Sequence, residues 1–403
     1  GQGTYTGGIV EVNQGTIQNC TVGSMTGESF LGGIAGLNKG GRIENCTLTG
    51  QMRGDSYLGG IVCRNEGEIV SCRVLPDDAQ VSSVMGDGSY IGGISAVNSG
   101  DKASITGWEI KGDIEGAGSF VGGIAGSNEN AAVIGLEKKQ EAAQSGTITG
   151  GEHVGGIAGV NGGDIYASGE LLENTFTVRA LEGNAGGIAG LQRETGNISG
   201  TGNTGSIIAE KGNAGGIVCD NRGRVEASEN SGEVTAANGE AGGICGENSG
   251  TVTGCRTLGG TLSGQGALGG IAAANYGRIE NSSLLSKAEL AIMGGQPENY
   301  IGGIAGRNTG VIVTSKVGSK TAPVRLSSDE DKSNVGGVAG YNGPEGRVDG
   351  MKAPETVCYA DIILEALSPI TGRRAASRDL RPRDSRTASG ELPASMETEQ
   401  IQR

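Results

Sequence analysis

Isolated aliphatic residues recur along the first 350 residues in a fixed phase with a pair of adjacent glycines. The first glycine of each pair sits at 7, 32, 59, 92, 122, 155, 186, 215, 242, 269, 302 and 336, spacings of 25 to 34 residues. Counting that glycine as zero, position +2 is Ile in eleven repeats, from Ile9 and Ile34 to Ile304, and Val338 in the last. Position +6 is an amide throughout: Asn13, Asn38, Asn65, Asn98, Asn128, Asn161, Gln192, Asn221, Asn248, Asn275, Asn308 and Asn342. Position +4 is small in nearly every repeat, as in Gly36, Cys63, Ala96 and Cys219, whereas +5 varies freely among Leu37, Arg64, Ser127, Asp220, Glu247 and Tyr341. In a strand +2, +4 and +6 share a face, so the pattern predicts those positions inside and +5 in solvent. Glu11, the one charge at +4, is then tolerated because nothing stacks above the first repeat.

A second short aliphatic position follows (Ile17, Ile43, Ile69, Ile165, Val225, Val252, Ile279 and Ile312). Beyond it lies a column of small residues: Cys20, Cys46, Cys72, Ser168, Ser228, Cys255, Ser282 and Ser315. A third short segment, such as Thr147 to Gly150, completes many repeats. Three strands of a few residues cannot bury an apolar face alone, and are satisfied when each pairs with its equivalent one repeat away. The expected fold is therefore all-β, a parallel β-solenoid of about twelve coils. At about 4.8 Å per coil it makes a rod of roughly 55 to 60 Å. The residues before the pair (Leu31, Leu58, Ile91) and the Ile after it have opposite strand parity. Both can point inward only if the chain bends at the glycines. The amide column is expected to be a buried hydrogen-bonded ladder that sets register.

Interruptions of the pattern mark surface excursions: Leu136 to Gln144, a charged glycine-free run that favours helix, and the stretches around Pro76-Asp77-Asp78, Gln296-Pro297-Glu298 and Ser328-Asp329-Glu330-Asp331. The solenoid is assigned to residues 1–350 and a capping helix or strand to 351–367, where Val357, Cys358 and Ile362 to Leu364 are clustered. An Arg-rich disordered tail is assigned to 368–403.

Composition agrees with a repeat protein: 80 glycines and 3% aromatics do not build ordinary globular cores. A net charge of −14 disfavours nucleic acid and anionic membrane as partners. No apolar run reaches the roughly 20 residues of a membrane-inserted helix. The residues from Gly1 onward do not read as a secretion signal, which is expected to be removed or to lie outside this stretch. Eight cysteines would allow a disulfide framework, but stacked Cys20, Cys46 and Cys72 have parallel side-chain directions unsuited to bridges, so buried free thiols are expected. No Cys-x-x-Cys pair or other ligand set predicts a metal, and no cofactor is expected. His153, the single histidine, stands two positions before its glycine pair, where other repeats have Tyr5, Phe30, Tyr57, Tyr90 and Phe120. It reads as a ring in a stack and not as a catalytic base. The five aromatics are candidates for a glycan-stacking platform, weighed against a ladder that only covers a corner. Asp329-Glu330-Asp331 reads as a solvated loop ahead of a calcium site.

The core Gly32-Gly33-Ile34-Ala35-Gly36-Leu37-Asn38, continued by Ile43-Glu44-Asn45-Cys46, resembles the GLUG repeat family over roughly residues 5 to 350. The resemblance implies a bacterial surface or secreted, adhesin-like protein; such repeats also accompany peptidase domains that cleave immunoglobulin A. With one histidine and no His-Glu-x-x-His stretch, peptidase activity does not carry over. The leading expectation is a non-enzymatic rod that displays loops or one lateral face to a host protein or glycan. The alternative is a β-helix polysaccharide lyase or hydrolase, which needs acids or bases on neighbouring coils of one outward column. At +5, Arg64, Asp220, Glu247 and Arg307 are charged, and only Asp220 and Glu247 are adjacent.

Overall fold

The structure, a computed structural model, describes residues 5–77, 82–137, 142–285, 289–292, 299–319, 324–328, 334–349, 357–358 and 360–364. It is a parallel β-solenoid. One strand per repeat, Val10–Asn13, Ala35–Asn38, Val62–Asn65 and so on to Ala339–Asn342, forms a 12-stranded sheet, one strand from each of the twelve coils. A second sheet stacks Thr16–Gln18, Arg42–Glu44 and Glu68–Val74 through to Arg347–Asp349. The third side carries the strands that enter each glycine pair, such as Leu31–Gly32 and Leu58–Gly59, beside those just upstream, such as Met52–Gly54. Single strands, Ile114–Gly122 and Thr147–Gly155, span both ladders there. A fourth, seven-stranded sheet begins at Leu172–Asn174 and ends at Val357–Cys358. Ladder pairing is in register, for example Leu31 with Leu58 and Asn38 with Asn65.

The core is a continuous column of Ile34, Ile61, Ile94, Ile124 and their successors to Ile304, each fully buried. Each such side chain contributes about 1.5–3 kcal/mol relative to an exposed one. Ile9, in the first described coil, is 46% exposed, and Glu11 is exposed as well.

One parity assignment is corrected. The residues at +3 (Ala35, Val62, Ala125, Ala158, Val218, Cys245) join the isoleucine core. Cys63 and Ala96 at +4 lie in a separate buried cluster against Tyr5, Phe30, Tyr57 and Tyr90. The cause is a turn at +2: the amides of Ile34 and Ala35 both donate to the Ile61 carbonyl, at 2.8 and 3.2 Å. Alternation does not resume after that turn: the register pairs +3, +5 and +6 of neighbouring coils while omitting +4, so +4 and +5 both leave the isoleucine core before +6 returns to the interior. The expectation of solvent at +5 is corrected in four coils, where Val97, Ser127, Val160 and Ala274 are buried. The glycine pair bends the chain as expected, but through space and not through a left-handed dihedral: none of these glycines has positive φ. A Cβ on Gly32 would stand 2.0 Å from the Ala35 oxygen and 2.5 Å from the Cys63 nitrogen.

Further corrections concern single segments. The Leu136 to Gln144 run is not helical at its described ends. Val133–Glu137 is a strand, and Ala142–Ser145 pairs with Trp108 to Lys111; residues 138–141 lie outside the described residues. Ser168 is exposed, so it leaves the small inward column, in which Trp108 stands beside Cys72 and Thr201 is buried. Within 351–367, Val357–Cys358 and Ala360–Leu364 are strands that pair with Lys316–Val317 and Val324–Ser328 and continue the last coil. Residue 78, Gln296 to Glu298, Asp329 to Asp331 and the tail 368–403 lie outside the described residues.

The thiols are mostly buried, with Cys20 and Cys358 half-buried. Burial pushes Cys63 and Cys255 up to about 12, so neither is a nucleophile at neutral pH. An alkylating agent at pH 7 is expected to leave both unlabelled in the folded protein and to label both in urea. Mass spectrometry finding equal labelling rates in the two states would contradict this packing.

Candidate functional site

The amide column is a ladder in the structure. Each Nδ2 donates to the next Oδ1: Asn13 to Asn38, Asn38 to Asn65, Asn65 to Asn98, Asn98 to Asn128 and Asn128 to Asn161, all at 2.8 Å. Asn161 donates to Gln192 at 3.0 Å. There the ladder is interrupted. The longer Gln192 turns its Nε2 to the Arg224 carbonyl at 2.7 Å, and the amide chain resumes from Asn221 through Asn248, Asn275 and Asn308 to Asn342. Gln192→Asn is expected to join the two halves and add about 1 kcal/mol. A rise in the urea midpoint at constant m-value is the check. Every rung except exposed Asn342 is buried, so the ladder is structural and unavailable to a ligand.

A second ladder escaped the sequence reading. Asn174 donates to Asn203 and Asn203 to Asn230, each at 2.8 Å, inside the fourth sheet. The only signal is an Asn followed by Thr or Ser in three consecutive repeats.

The candidate stacking aromatics form one column. Phe30 and Tyr57 stack at 4.8 Å and 9°, Tyr57 and Tyr90 at 4.7 Å and 7°. Tyr5 meets Phe30 edge-on, Tyr90 tilts against Phe120, and Phe120 against His153 at 5.5 Å. Phe30, Tyr57, Tyr90, Phe120 and His153 all have left-handed backbone, φ from 53° to 62°. Such a backbone costs a bulky residue about 1–3 kcal/mol and needs surrounding structure to hold it. Tyr57 has a ring against each face, so stacking in this column is spent between coils. His153 takes its place as the sixth ring, and burial lowers its pKa.

On the same lateral face the column turns polar. At −2 the rings give way to Asn184, Asn213, Glu240 and Ala267. At +5, coils 8 to 12 carry Asp220, Glu247, Ala274, Arg307 and Tyr341, paired in that order. Asp220 and Glu247 are therefore direct neighbours, as their spacing predicts. Asp220 is held by Arg222 at 2.7 Å. Arg307, rooted in coil 11, reaches past coil 10 to Glu240 at 2.5 Å. Glu247 has no hydrogen-bond or ion-pair partner among the described residues, and its carboxyl is raised by burial first, then by Asp220 and Glu240, against the opposing pull of Arg222 and Arg307. Arg64, the fourth charged +5 residue, is remote and paired with Glu66 at 2.7 Å.

A carboxyl raised on folding binds more protons in the native state, so its contribution to stability falls as pH rises from the ordinary carboxylate range through the raised value. Glu247→Gln is therefore expected to stabilise the protein at pH 7, with the gain vanishing below the ordinary carboxylate range. A gain that stayed constant from pH 3 to pH 8 in thermal unfolding would remove Glu247 from this role.

Among the described residues no cluster of three or more His, Cys, Asp or Glu is placed to hold a metal, and no helix is long and apolar enough to cross a membrane. Neither a protein-family model, nor a curated protein, nor a solved structure matches the chain.

Proposed function

We propose that the chain is a structural and adhesive rod of an extracellular bacterial protein, related to the GLUG repeats, that presents a lateral face to a host protein or glycan. The observation that carries this reading is the contrast between inside and outside. Axial columns of Ile and amide hold register across the coils, while the +5 column, accessible in eight of the twelve coils, changes chemistry from coil to coil. Such a frame positions exposed groups rigidly without using them for stability. Binding measured against arrayed glycans and host-matrix proteins is the test. A ligand lost on substitution of one face supports the reading, and silence across both panels sinks it.

A second reading, a polysaccharide lyase or hydrolase, is favoured by Glu247. A raised carboxyl beside the Arg-held Asp220 is an arrangement that can separate acid from base. Release of reducing ends or unsaturated products from acidic polysaccharides, abolished in both Asp220→Ala and Glu247→Ala, would establish it. Turnover that survives either change would dismiss the pair.

A further inference from the structure

We propose that the lateral surface of coils 9 to 12, bounded by Glu247, Arg307, Tyr276 and Tyr341, is a binding site for one neutral pyranose residue of a glycan. The proposal rests on the adhesive reading and gives it a place and a ligand class. Arg307 can cross coil 10 because both outward columns shrink there: Ala274 stands at +5 and Ala267 at −2, each 1% exposed. Ala267 packs so closely that a Cβ on Gly306 would stand 2.8 Å from its methyl. Arg307 thus lies along the rod axis, anchored at its far end by Glu240, and its Nε is buried without a hydrogen-bond partner.

Two unspent groups border this strap. The half-buried Glu247 carboxylate has no partner among the described residues, and it neighbours Ala274 directly in register. Tyr276 and Tyr341 are 49% and 43% exposed; Tyr341 pairs in register with Arg307, and Tyr276 lies within its electrostatic range. Tyr341 meets Tyr300 at 5.4 Å and 48°, whereas Tyr276 has no ring partner among the described residues, unlike Tyr57, whose faces are both covered. A pyranose has the complementary chemistry, an apolar C–H face to lie on an aromatic ring and hydroxyls that donate to a carboxylate or accept from a guanidinium.

Charge selects within the sugars. Asp220, Glu240 and Glu247 stand against Arg222 and Arg307, a small negative excess on a chain of net charge −14. Uronate, sialylated and sulfated glycans are repelled. The two guanidiniums among the acids equally disfavour a divalent cation.

The test is a glycan array containing neutral, uronate, sialylated and sulfated glycans, probed with the whole chain alongside a panel of host-matrix proteins. The expected result is binding confined to neutral hexose glycans. It should weaken about tenfold in Tyr276→Ala and in Glu247→Gln and stay within about threefold of the parent in Tyr276→Phe. These side chains face outward, so a thermal midpoint unchanged in Tyr276→Ala and not lowered in Glu247→Gln separates lost binding from lost folding. Neutral-glycan binding indifferent to both substitutions, or binding confined to anionic glycans, overturns this site and leaves adhesion standing. So does binding to a matrix protein without any glycan. Silence on every panel overturns both.

Discussion

Gly59→Ala is expected to destabilise the rod by about 3 kcal/mol, at the upper end of what overpacking costs. A Cβ there would stand 2.0 Å from the Val62 oxygen, 2.7 Å from the Ala96 nitrogen and 2.8 Å from the Ser95 Cα. All three are backbone atoms, one in the same coil and two in the next, so no rotamer change relieves the contact. Coil 3 must move away from coil 4. Because each coil touches only its neighbours, the damage is local. Hydrogen exchange should quicken across the ladders joining Leu58 to Ile91 and Val62 to Ser95. Gly15→Ala is the control. Nothing lies within 4 Å of its Cβ site and its φ is not positive, so this change is expected to be neutral or to stabilise by about 0.4–1 kcal/mol through the unfolded chain. Equal effects at the two glycines would show that the pairs are present for flexibility and not for close approach.

Asn65→Ala is expected to cost about 3 kcal/mol. Asn65 donates to Asn98 at 2.8 Å and to the Gly67 carbonyl at 2.9 Å, accepts from Asn38 at 2.8 Å, and is fully buried. Truncation leaves the Asn38 amide short of an acceptor and the Asn98 carbonyl short of a donor, both in a space that excludes water. Asn13→Ala removes one rung from an open end, where the side chain keeps only one amide neighbour. Its expected cost is about 1 kcal/mol. Chemical unfolding of the two variants distinguishes a cooperative ladder from independent hydrogen bonds. If Asn13→Ala cost as much as Asn65→Ala, the ladder would have no interior.

Much of this architecture was legible because a solenoid repeats its constraints. Glycine at two adjacent positions, a β-branched aliphatic at +2 and an amide at +6 recur in every coil, since each is squeezed by the same residue one coil away. The Asn-Cys pairs were half legible. The small residue was read as inward, but the left-handed backbone of Asn19, Asn45 and Asn281 was not; that conformation explains why Gly107, Gly200 and Gly254 also occur at this turn. The second ladder of Asn174, Asn203 and Asn230 was hidden because it spans only three coils and replaces apolar Val74 and Ile110 of earlier ones. The Leu136 to Gln144 run misled because helix propensity is a weak prior against coil-to-coil pairing.

Of the candidate site, the adjacency of Asp220 and Glu247 followed from spacing alone. Its environment did not. Arg307 lies 67 residues from Glu240, and the contact depends on two alanines at different positions in the coil between them. Periodicity determined the class of fold, the register and the buried columns of isoleucine and amide, because those follow from one coil meeting its copy. The tertiary structure alone decided which of +3 and +4 enters the core, which rings are covered, and which carboxylate is left without a partner. Those outcomes depend on a shared hydrogen bond at one turn and on side chains that cross between coils, and neither leaves a period in the sequence.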